Sequence, residues 1–330
     1  MSELRLNLIT REWVIISTER TRKPKDFIQK RDKKIFPEFV DTCPFCPGNE
    51  HKTPPEIMRI QHNNKWLIRV IPNKFAVLSH EGEKFRTNEG LKHLVNGVGR
   101  HEVIIETPVH NTMIALMSVG DISNVLRVYK ERFIELSNNP SVEHVIIFKN
   151  QGIASGTSMV HPHSQIIGTP VTPLQVRDRI SEVRRHFDLT GECLMCVSLK
   201  DELNDGRRII LNSNHFVTFI PYAALSPFHI WIFPKRHQSA FGHLHEEEIA
   251  DLACNLKTIL SKLYFGLNNP DYNLVIRSEI IKNSGNEYFH WYISIVPRLV
   301  QASGFELGSG IYYNAAVPEE VAEFMRNVKT

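Results

Sequence analysis

The hydrophobic pattern of this chain alternates between short apolar runs and two long amphipathic segments. Residues 121–136 and 246–264 carry apolar side chains at spacings of three and four, which places those side chains on one face of a helix. Asp121 is a suitable N-cap for the first helix. The triplet Asn-Asn-Pro, at 138–140 and again at 268–270, ends both patterns. The sequence therefore predicts one long helix in each half of the chain.

Short apolar runs around these helices predict β-strands. The strand segments are 66–75, 100–110, 145–148 and 166–168 in the first half, and 215–220, 227–237 and 272–277 in the second. Both halves have the same order of elements, and 101–110 aligns with 228–237. We therefore predict an α+β fold of two tandem units, residues 1–180 and 181–330, each with an antiparallel sheet and one crossing helix.

Composition narrows the class of protein. The 330 residues suffice for two domains, and an apolar share of 42% with a charged share of 23% is typical of a globular protein with a sizeable core. A net charge of +3 gives no support for nucleic-acid binding. Apolar runs stay far below the roughly 20 residues of a membrane span, and the first residues lack the apolar core of a signal peptide. We expect a cytosolic protein without nucleic-acid or membrane partners.

The segment 18–34 is an exception to this charge balance, because it is rich in Lys and Arg. A solvated loop is the default interpretation of such a run. The other interpretation is an arm that reaches an anionic ligand.

Four of the five cysteines form two Cys-x-x-Cys pairs, Cys43 with Cys46 and Cys193 with Cys196. In a reducing cytosol such pairs are typical of metal sites or redox elements rather than of structural disulfides. A thioredoxin-like redox site would open a helix after a strand, a context that we predict for neither pair. The remaining cysteine, Cys254, lies in a helical pattern, where we expect a buried small apolar side chain.

Each half also places two histidines after its cysteine pair, at nearly equal separations. Four nitrogen or sulfur donors complete the tetrahedral coordination of a structural Zn²⁺ ion, which leaves no position for substrate. We therefore predict two structural zinc ions, with ligands Cys43, Cys46, His110 and His161 at site one and Cys193, Cys196, His237 and His290 at site two. The alternative is two unrelated cysteine turns with histidines scattered among the sixteen of the chain.

The candidate chemistry lies in the stretch His-Pro-His-Ser-Gln at 161–165, which follows a Gly- and Ser-rich loop at 152–158. Alternate residues of a strand share a face, so His161, His163 and Gln165 are expected to point the same way. If His161 binds zinc, the chain is held two residues from His163, which orients that ring without making it a ligand.

A free imidazole beside such a loop indicates covalent catalysis on phosphorus. The neutral ring of His163 would attack an α-phosphate and form a phosphoramidate, which a second acceptor would cleave. The N–H groups and hydroxyls of the loop, together with the amide of Gln165, are suited to hold the non-bridging oxygens. The alternative is a solvent-facing histidine on a strand.

The motif at 156–165 resembles the active-site motif of the transferase branch of the histidine-triad superfamily, which includes the galactose-1-phosphate uridylyltransferases and the ADP-glucose phosphorylases. In the hydrolase branch a third histidine stands where this chain has Gln165. The resemblance covers almost the whole chain, including Cys-Pro-Phe-Cys-Pro-Gly at 43–48, Arg-Val-Ile-Pro-Asn-Lys-Phe at 69–75 and the ending at 304–310. It implies that both units are histidine-triad-like.

The resemblance also implies a role for individual residues. His163 would be the nucleophile that carries the nucleoside monophosphate. Gln165 and Ser158 would share the catalytic site with His163 and, with Asn150, contact the phosphates. The other substrate-binding residues would be Asn73 and Phe75, near the nucleoside, together with Gly156 and Arg20. Arg20, in the basic segment, would reach the active site of the neighbouring subunit of a homodimer. His161 matches a structural zinc ligand, and Tyr292 stands where the second half would carry a nucleophile, so only the first half is expected to be catalytic.

Several functions are compatible with these residues. We predict transfer of a nucleoside monophosphate from a nucleoside diphosphate hexose to a hexose 1-phosphate, as in the uridylyltransferases. The alternative is transfer of AMP from ADP-glucose to inorganic phosphate, which the two complete Cys₂His₂ sets and the ending at 304–310 favour. A nucleotide hydrolase is disfavoured, because Gln165 replaces the histidine that would protonate the leaving group. A zinc-bearing binding protein without activity is disfavoured by the intact His163.

Overall fold

The computed structural model of the protein describes residues 2–17, 22–30, 36–283 and 285–330. The strands are β1 (Glu3–Leu6), β2 (Trp13–Ile16), β3 (Met58–His62), β4 (Lys65–Pro72), β5 (Arg86–Glu89), β6 (Lys92–Val95), β7 (Arg100–Ile105), β8 (His144–Gln151), β9 (His163–Thr169), β10 (Ile209–Asn212), β11 (Phe216–Phe219), β12 (Ile230–Pro234), β13 (Tyr272–Arg277), β14 (Tyr292–Pro297) and β15 (Tyr312–Asn314). The α-helices are α1 (Val119–Ser137), α2 (Leu174–Thr190), α3 (Leu194–Asp205), α4 (Glu246–Gly266), α5 (Gly304–Ser309) and α6 (Pro318–Asn327). Short 3₁₀ helices lie at Pro24–Phe27, Glu50–Lys52, Ile153–Ser155, Phe241–His243 and Ile281–Asn283.

A ten-stranded antiparallel sheet forms the body of the molecule, and the two halves of the chain contribute five strands each. Its order is β10-β11-β12-β14-β13-β8-β9-β7-β4-β3, which reads the same from either edge when the matching strands of the two halves are exchanged. The halves meet at the pair β8–β13, where Phe148 lies opposite Val275. This mixed α+β architecture with a large antiparallel sheet is the predicted class.

The register defines which residues of the two halves are equivalent. Gln165 pairs with Val103, and Ser294 pairs with Trp231, at matching places in the two strand ladders. It follows that Tyr292 occupies the place of His163 and that His229 occupies the place of His101. The alignment of 101–110 with 228–237 is thus shifted by one residue over the strands, because the connection to the following histidine is one residue shorter in the second half.

Helices α1 and α4 contact each other, and their apolar faces join one core with the sheet. The apolar side chains expected on the inner face of α1 are all buried, namely Ile122, Val125, Leu126, Tyr129, Phe133 and Leu136. The predicted N-cap is wrong by three residues. Ser118 caps α1, since its Oγ accepts the N–H of Asp121 at 3.1 Å, and Asp121 lies in the first turn.

Other elements depart from the prediction of one helix per unit. Helix α2 spans the expected boundary at residues 180 and 181, and α3 begins directly after Cys193, so the second cysteine pair opens a helix that follows another helix. Cys254 is exposed, not buried, because the buried face of α4 passes through Ala253 and Leu256 on the other side. Strand β15 pairs with β2 in parallel, which ties the C-terminal region to the N-terminal hairpin. None of the described helices is long and apolar enough to cross a membrane.

Candidate functional site

The first cysteine pair and two distant histidines meet at one point beside the sheet. Cys43, Cys46, His110 and His161 are all buried, and their donor atoms lie within 4.8 Å of one another. The Cys46 Sγ atom lies 3.5 Å from His110 Nδ1 and 3.6 Å from His161 Nδ1. A tetrahedral zinc ion with bonds of about 2.3 Å to sulfur and about 2.0 Å to nitrogen separates such ligands by about 3.5 Å. The donor set and its spacing fit zinc.

Hydrogen bonds from neighbouring groups orient these ligands. The Nε2–H of His161 donates to the carbonyl oxygen of Thr107 at 2.8 Å, which leaves Nδ1 free to face the sulfur atoms. Burial lowers the pKa of His161 to about 4, so the ring is neutral, as a metal ligand must be. The N–H of Val40 donates to Cys46 Sγ at 3.4 Å. These contacts fix the cluster to the end of β7 and to the turn before β9.

The second cluster repeats the first but is more open. Cys193, Cys196 and His237 have donor atoms within 4.8 Å of one another, and Cys196 is half-buried while His237 is exposed. His290 joins them, since its Nδ1 lies 3.3 Å from Cys196 Sγ. The two histidine rings of the cluster have centroids 5.3 Å apart, compared with 5.4 Å for His110 and His161 in the first cluster. This set is also compatible with zinc.

His163 is the first residue of β9 and is 9% exposed. Its Nδ1–H donates to the carbonyl oxygen of His161 at 2.9 Å, so the lone pair of the neutral ring lies on Nε2. Phe45, from the cysteine turn, packs edge-on against this ring with centroids 5.5 Å apart. Burial lowers the pKa of His163, which favours the neutral, nucleophilic form. His161 itself precedes the strand, so of the three residues expected on one face only His163 and Gln165 lie in β9.

A buried ion pair lies directly behind His163. Lys149 donates to Glu106 Oε2 at 2.7 Å and to the carbonyl oxygen of His163 at 3.1 Å. Tyr129 and Ser164 both donate to the other oxygen of Glu106. Burial acts to raise the pKa of Glu106, but the charge and hydrogen bond of Lys149 outweigh it, and the pKa is lowered. The network anchors the main chain of the nucleophile candidate to β8 and α1.

Gln165 is held by two side chains from neighbouring strands. Its Oε1 lies 2.7 Å from His101 Nε2 and accepts the amide N–H of Asn73 at 3.3 Å. Asn73 is fixed in turn, because its Oδ1 accepts the N–H of Phe75 at 2.9 Å. The Phe75 ring is 81% exposed, so it is available to a ligand at this edge.

The Gly- and Ser-rich loop is shaped by contacts with the second half of the chain, among them the amide N–H of Asn273, which donates to the carbonyl oxygen of Ser155 at 2.9 Å. Asp271 Oδ2 accepts the N–H of Ala154 at 2.7 Å, and a Cβ atom on Gly152 would lie 2.0 Å from Asp271 Oδ1. Gly152 also has φ +84° and ψ 160°, a conformation that only glycine adopts readily. The loop therefore requires glycine at this position.

The remaining predicted substrate residues that the structure describes lie at the end of β8 and in the loop that follows it. Asn150 accepts an N–H from Asn273 at 2.8 Å, so its own amide N–H group is free to donate. That nitrogen lies 4.0 Å from the point that a Cβ atom on Gly156 would occupy. Ser158, two residues further along, is exposed. Arg20 lies outside the described residues.

Sequence reasoning missed three residues that the structure brings to this site: His101, Lys149 and Glu106. Their signal was present but weak: His101 and Lys149 lie in β7 and β8 beside apolar runs, and Glu106 directly follows β7. A charged residue on a buried strand needs a partner, and that expectation would have paired Lys149 with Glu106.

Comparison with known proteins adds independent evidence. The family model described as Galactose-1-phosphate uridyl transferase, N-terminal domain, matches residues 1–173. The chain is 38% identical to ADP-glucose phosphorylase of Arabidopsis thaliana, over 99% of this chain and 93% of that protein. It is 27% identical to galactose-1-phosphate uridylyltransferase of Thermotoga maritima, over 100% and 99%. The crystal structure of the Arabidopsis ADP-glucose phosphorylase with bound ADP-glucose is similar with a TM-score of 0.84 at 35% identity, covering 100% of this chain and 99% of that one.

Proposed function

This chain belongs to the galactose-1-phosphate uridyl transferase family, and on that premise we propose that it transfers a nucleoside monophosphate through His163 from a nucleoside diphosphate hexose to a phosphate acceptor. One observation carries the proposal. The hydrogen bond from His163 Nδ1 to the carbonyl oxygen of His161 leaves the Nε2 lone pair on the strand face that Gln165 shares. A buried, oriented, neutral imidazole is the nucleophile that such a transfer requires.

The transfer takes two displacements. In the first, the lone pair of His163 Nε2 attacks the α-phosphorus, the P–N bond forms, and the bond to the β-phosphate oxygen breaks to release hexose 1-phosphate. In the second, an oxygen of the acceptor phosphate attacks the same phosphorus and the P–N bond breaks, which returns the neutral ring. The hydrogen bond to His161 holds the remaining ring proton throughout and stabilises the positive charge that develops on the ring.

The residues around His163 suit the charge of the transferred group. Gln165 and Asn150 offer amide N–H groups, and Gly156 and Ser158 belong to the loop beside them. We assign these four to the phosphate oxygens, Asn73 and the exposed Phe75 to the nucleoside, and Arg20 to the site of a partner subunit. Such neutral donors can stabilise the phosphoryl oxygens of the transition state and, because they carry no net charge, hold other anions less tightly than a cationic side chain would.

The two Cys/His clusters would hold structural zinc. In the first, Cys43, Cys46, His110 and His161 would bind the ion, and in the second Cys193, Cys196, His237 and His290. Bound zinc supplies a rigid link between the cysteine turn and the sheet. His161 then connects that link to His163 through its carbonyl oxygen.

The comparisons favour ADP-glucose as the donor and inorganic phosphate as the acceptor. The Arabidopsis ADP-glucose phosphorylase is 38% identical over nearly the whole chain, compared with 27% for the Thermotoga uridylyltransferase. We therefore place phosphorolysis of ADP-glucose, which yields ADP and glucose 1-phosphate, ahead of the uridylyl transfer expected first from sequence. Uridylyl transfer to a hexose 1-phosphate is the second candidate, supported by the near full-length match to that enzyme.

We also propose the finer organisation that the sequence predicted. The symmetric strand order supports two tandem histidine-triad-like units, residues 1–180 and 181–330, with catalysis in the first. A homodimer and a cytosolic location complete the proposal, since Arg20 is expected to act across a subunit interface.

A trapping experiment tests the proposed function. ADP-glucose and UDP-glucose, each labelled at the α-phosphate, are incubated with the protein, which is then denatured. Acid-labile label should remain on the wild type and be absent from His163→Ala, while Tyr292→Phe should behave as the wild type. Adding phosphate before denaturation should release labelled ADP, and adding galactose 1-phosphate should release label only if the second candidate is correct. Rapid formation of free monophosphate without a trapped species would instead indicate hydrolysis.

A further inference from the structure

The tautomer of His101 is determined by a backbone group. The N–H of Val77 donates to His101 Nδ1 at 3.3 Å, so this nitrogen is an acceptor and carries no proton. A neutral imidazole with an unprotonated Nδ1 carries its proton on Nε2. His101 is buried and burial lowers its pKa, in keeping with the neutral ring.

The proton on His101 Nε2 determines which end of the Gln165 amide it meets. The two groups are 2.7 Å apart, and a nitrogen that can only donate must face the oxygen of the amide, not its NH₂ group. Asn73 Nδ2 lies 3.0 Å from His101 Nε2 and 3.3 Å from the Gln165 oxygen, and the N–H of Phe75 fixes the orientation of Asn73. Because Val77 leaves the proton of His101 on Nε2, the two nitrogens are both donors and converge on that oxygen. Two backbone N–H groups thus set the direction of both side-chain amides.

The amide oxygen of Gln165 is therefore saturated, and its NH₂ group is the end left for a ligand. We propose that His101 is a positioning residue that holds the Gln165 amide with its N–H donors available to the phosphoryl group carried by His163. The inference rests on the proposed function, because it assumes that Gln165 contacts that group. An amide free to rotate would present its oxygen to the phosphate about as readily, and that orientation is repulsive.

The second half of the chain supplies a matched control. His229 occupies the place of His101, and Ser294 occupies the place of Gln165. The Nε2 of His229 accepts the indole N–H of Trp231 at 3.1 Å, so it carries no proton and also accepts the hydroxyl of Ser294 at 2.8 Å. Both residues are buried, and Tyr292 stands where His163 would be. A buried histidine thus holds a side chain at the matching place where no transfer is proposed, but as an acceptor and not as a donor. Loss of packing at this place should therefore appear in both halves, whereas loss of the donor to Gln165 should appear only in the first.

The test compares His101→Leu, which removes the donor, with His101→Gln, whose amide nitrogen can take the place of Nε2. The measured quantity is the single-turnover rate of nucleotide attachment to His163, per folded protein. We expect His101→Leu to lower this rate about 10- to 100-fold with a smaller change in the affinity for ADP-glucose, and His101→Gln to recover most of it. His229→Leu should lower the melting temperature but leave the rate within about twofold. Equal rate losses in His101→Leu and His229→Leu would overturn the proposal.

A double-mutant cycle separates positioning from general structural damage. In a Gln165→Ala background, His101→Leu should cause no further loss of rate, because the group that it positions is gone. Additive losses would overturn the proposal. If Gln165→Ala alone leaves the rate unchanged, the assumed role of Gln165 is at fault instead. As a readout independent of activity, the ¹⁵N shifts of His101 should report the neutral ring protonated on Nε2, and protonation on Nδ1 would also contradict the inference.

Discussion

The two halves of this molecule have the same strand ladder but differ in the side chain at the start of the matching strands β9 and β14. In the first, β9 begins with His163, whose Nε2 lone pair is left free at the N-terminal end of that strand. In the second, β14 begins with Tyr292, whose ring stacks on Phe233 with centroids 4.8 Å apart and is only 1% exposed. Trp231 covers the same rings at 5.1 Å from Tyr292. In the second half, a set of aromatic side chains thus fills the space that corresponds to the candidate site of the first half.

The difference shows that a Cys/His cluster can be present without a nucleophile candidate beside it. Both halves keep a cysteine pair and two histidines, yet one half alone joins its cluster to a nucleophile candidate. The clusters therefore fit a role in holding each half together. What distinguishes the halves is a small number of side chains on or directly after β7, β8 and β9, in particular Lys149 of β8, Gln165 of β9 and Glu106, which follows β7.

Exchanging the residues at the equivalent positions should have the largest effect. His163→Tyr should lower nucleotidyl transfer by at least about 10³-fold, because it removes the nucleophile. Adding Tyr292→His should restore nothing, since Phe233 and Trp231 fill the space that a substrate would need. Steady-state and single-turnover rates measure this, and nucleotide trapped on residue 292 would show that the second face is competent.

The buried ion pair offers the second test, because the second half has Ile276 and Pro234 at the places of Lys149 and Glu106. Lys149→Met should lower the free energy of unfolding by about 3–5 kcal/mol, as it leaves Glu106 buried without its cation. The double variant with Glu106→Gln should recover part of that loss, since Tyr129 and Ser164 can donate to the amide oxygen. Chemical denaturation measures both, and equal stability of the single and double variants would argue against the pair.

The contribution of Glu106 to the free energy of unfolding should depend on pH with opposite signs in the wild type and in Lys149→Met. In the wild type the pKa of Glu106 is lowered, so its contribution is present above the unfolded pKa of about 4.3 and is lost as the pH falls through the folded value. Without Lys149, burial raises the pKa of Glu106, so the variant should lose stability as the pH rises above that same value. The difference in unfolding free energy between wild type and Lys149→Met should therefore grow as the pH rises from about 4 to about 7, because this interval begins near the unfolded pKa of Glu, about 4.3.

The metal clusters provide the smallest expected difference in rate. Cys46→Ser and Cys196→Ser should each lower bound zinc by about one ion per chain. Cys46→Ser should also lower the transfer rate of the folded protein about 10- to 100-fold, because His161 loses its anchor beside His163, whereas Cys196→Ser should change it by less than about twofold. Metal analysis and rates at a temperature where both variants remain folded check this. Equal rate losses would show that the two clusters are not separable from the chemistry.

Much of this arrangement was accessible from the sequence because the signals are local or repeated. The period of apolar residues predicted α1 and α4, and the repeated Cys, Cys, His, His order predicted clusters that the fold brings together. The cap of α1 was misplaced because Ser118 and Asp121 both suit an N-cap and only the backbone distinguishes them. Cys254 was predicted wrongly because its place in a helical pattern does not by itself show whether a small side chain lies on the buried or the exposed face of the helix.

The contacts around Gln165 could not be predicted in the same way. His101 reaches Gln165 from β7 and Asn73 reaches it from β4, and both contacts depend on strand register. A shift of one residue would turn every one of these side chains to the other face. The one-residue offset between 101–110 and 228–237 is such a shift, and it hid the equivalence of His101 and His229.

By itself, the sequence determined the repeated α+β pattern and the two Cys₂His₂ sets, and it predicted His163 rather than Tyr292 as the reactive position. Only the tertiary structure decided which neighbours orient that histidine and its glutamine. The physical reason is that composition and period report what each segment buries, whereas hydrogen-bond direction depends on atoms brought within about 3 Å by strands distant in the chain. In this protein, those distant donors meet the amide oxygen of Gln165 and leave its NH₂ group free.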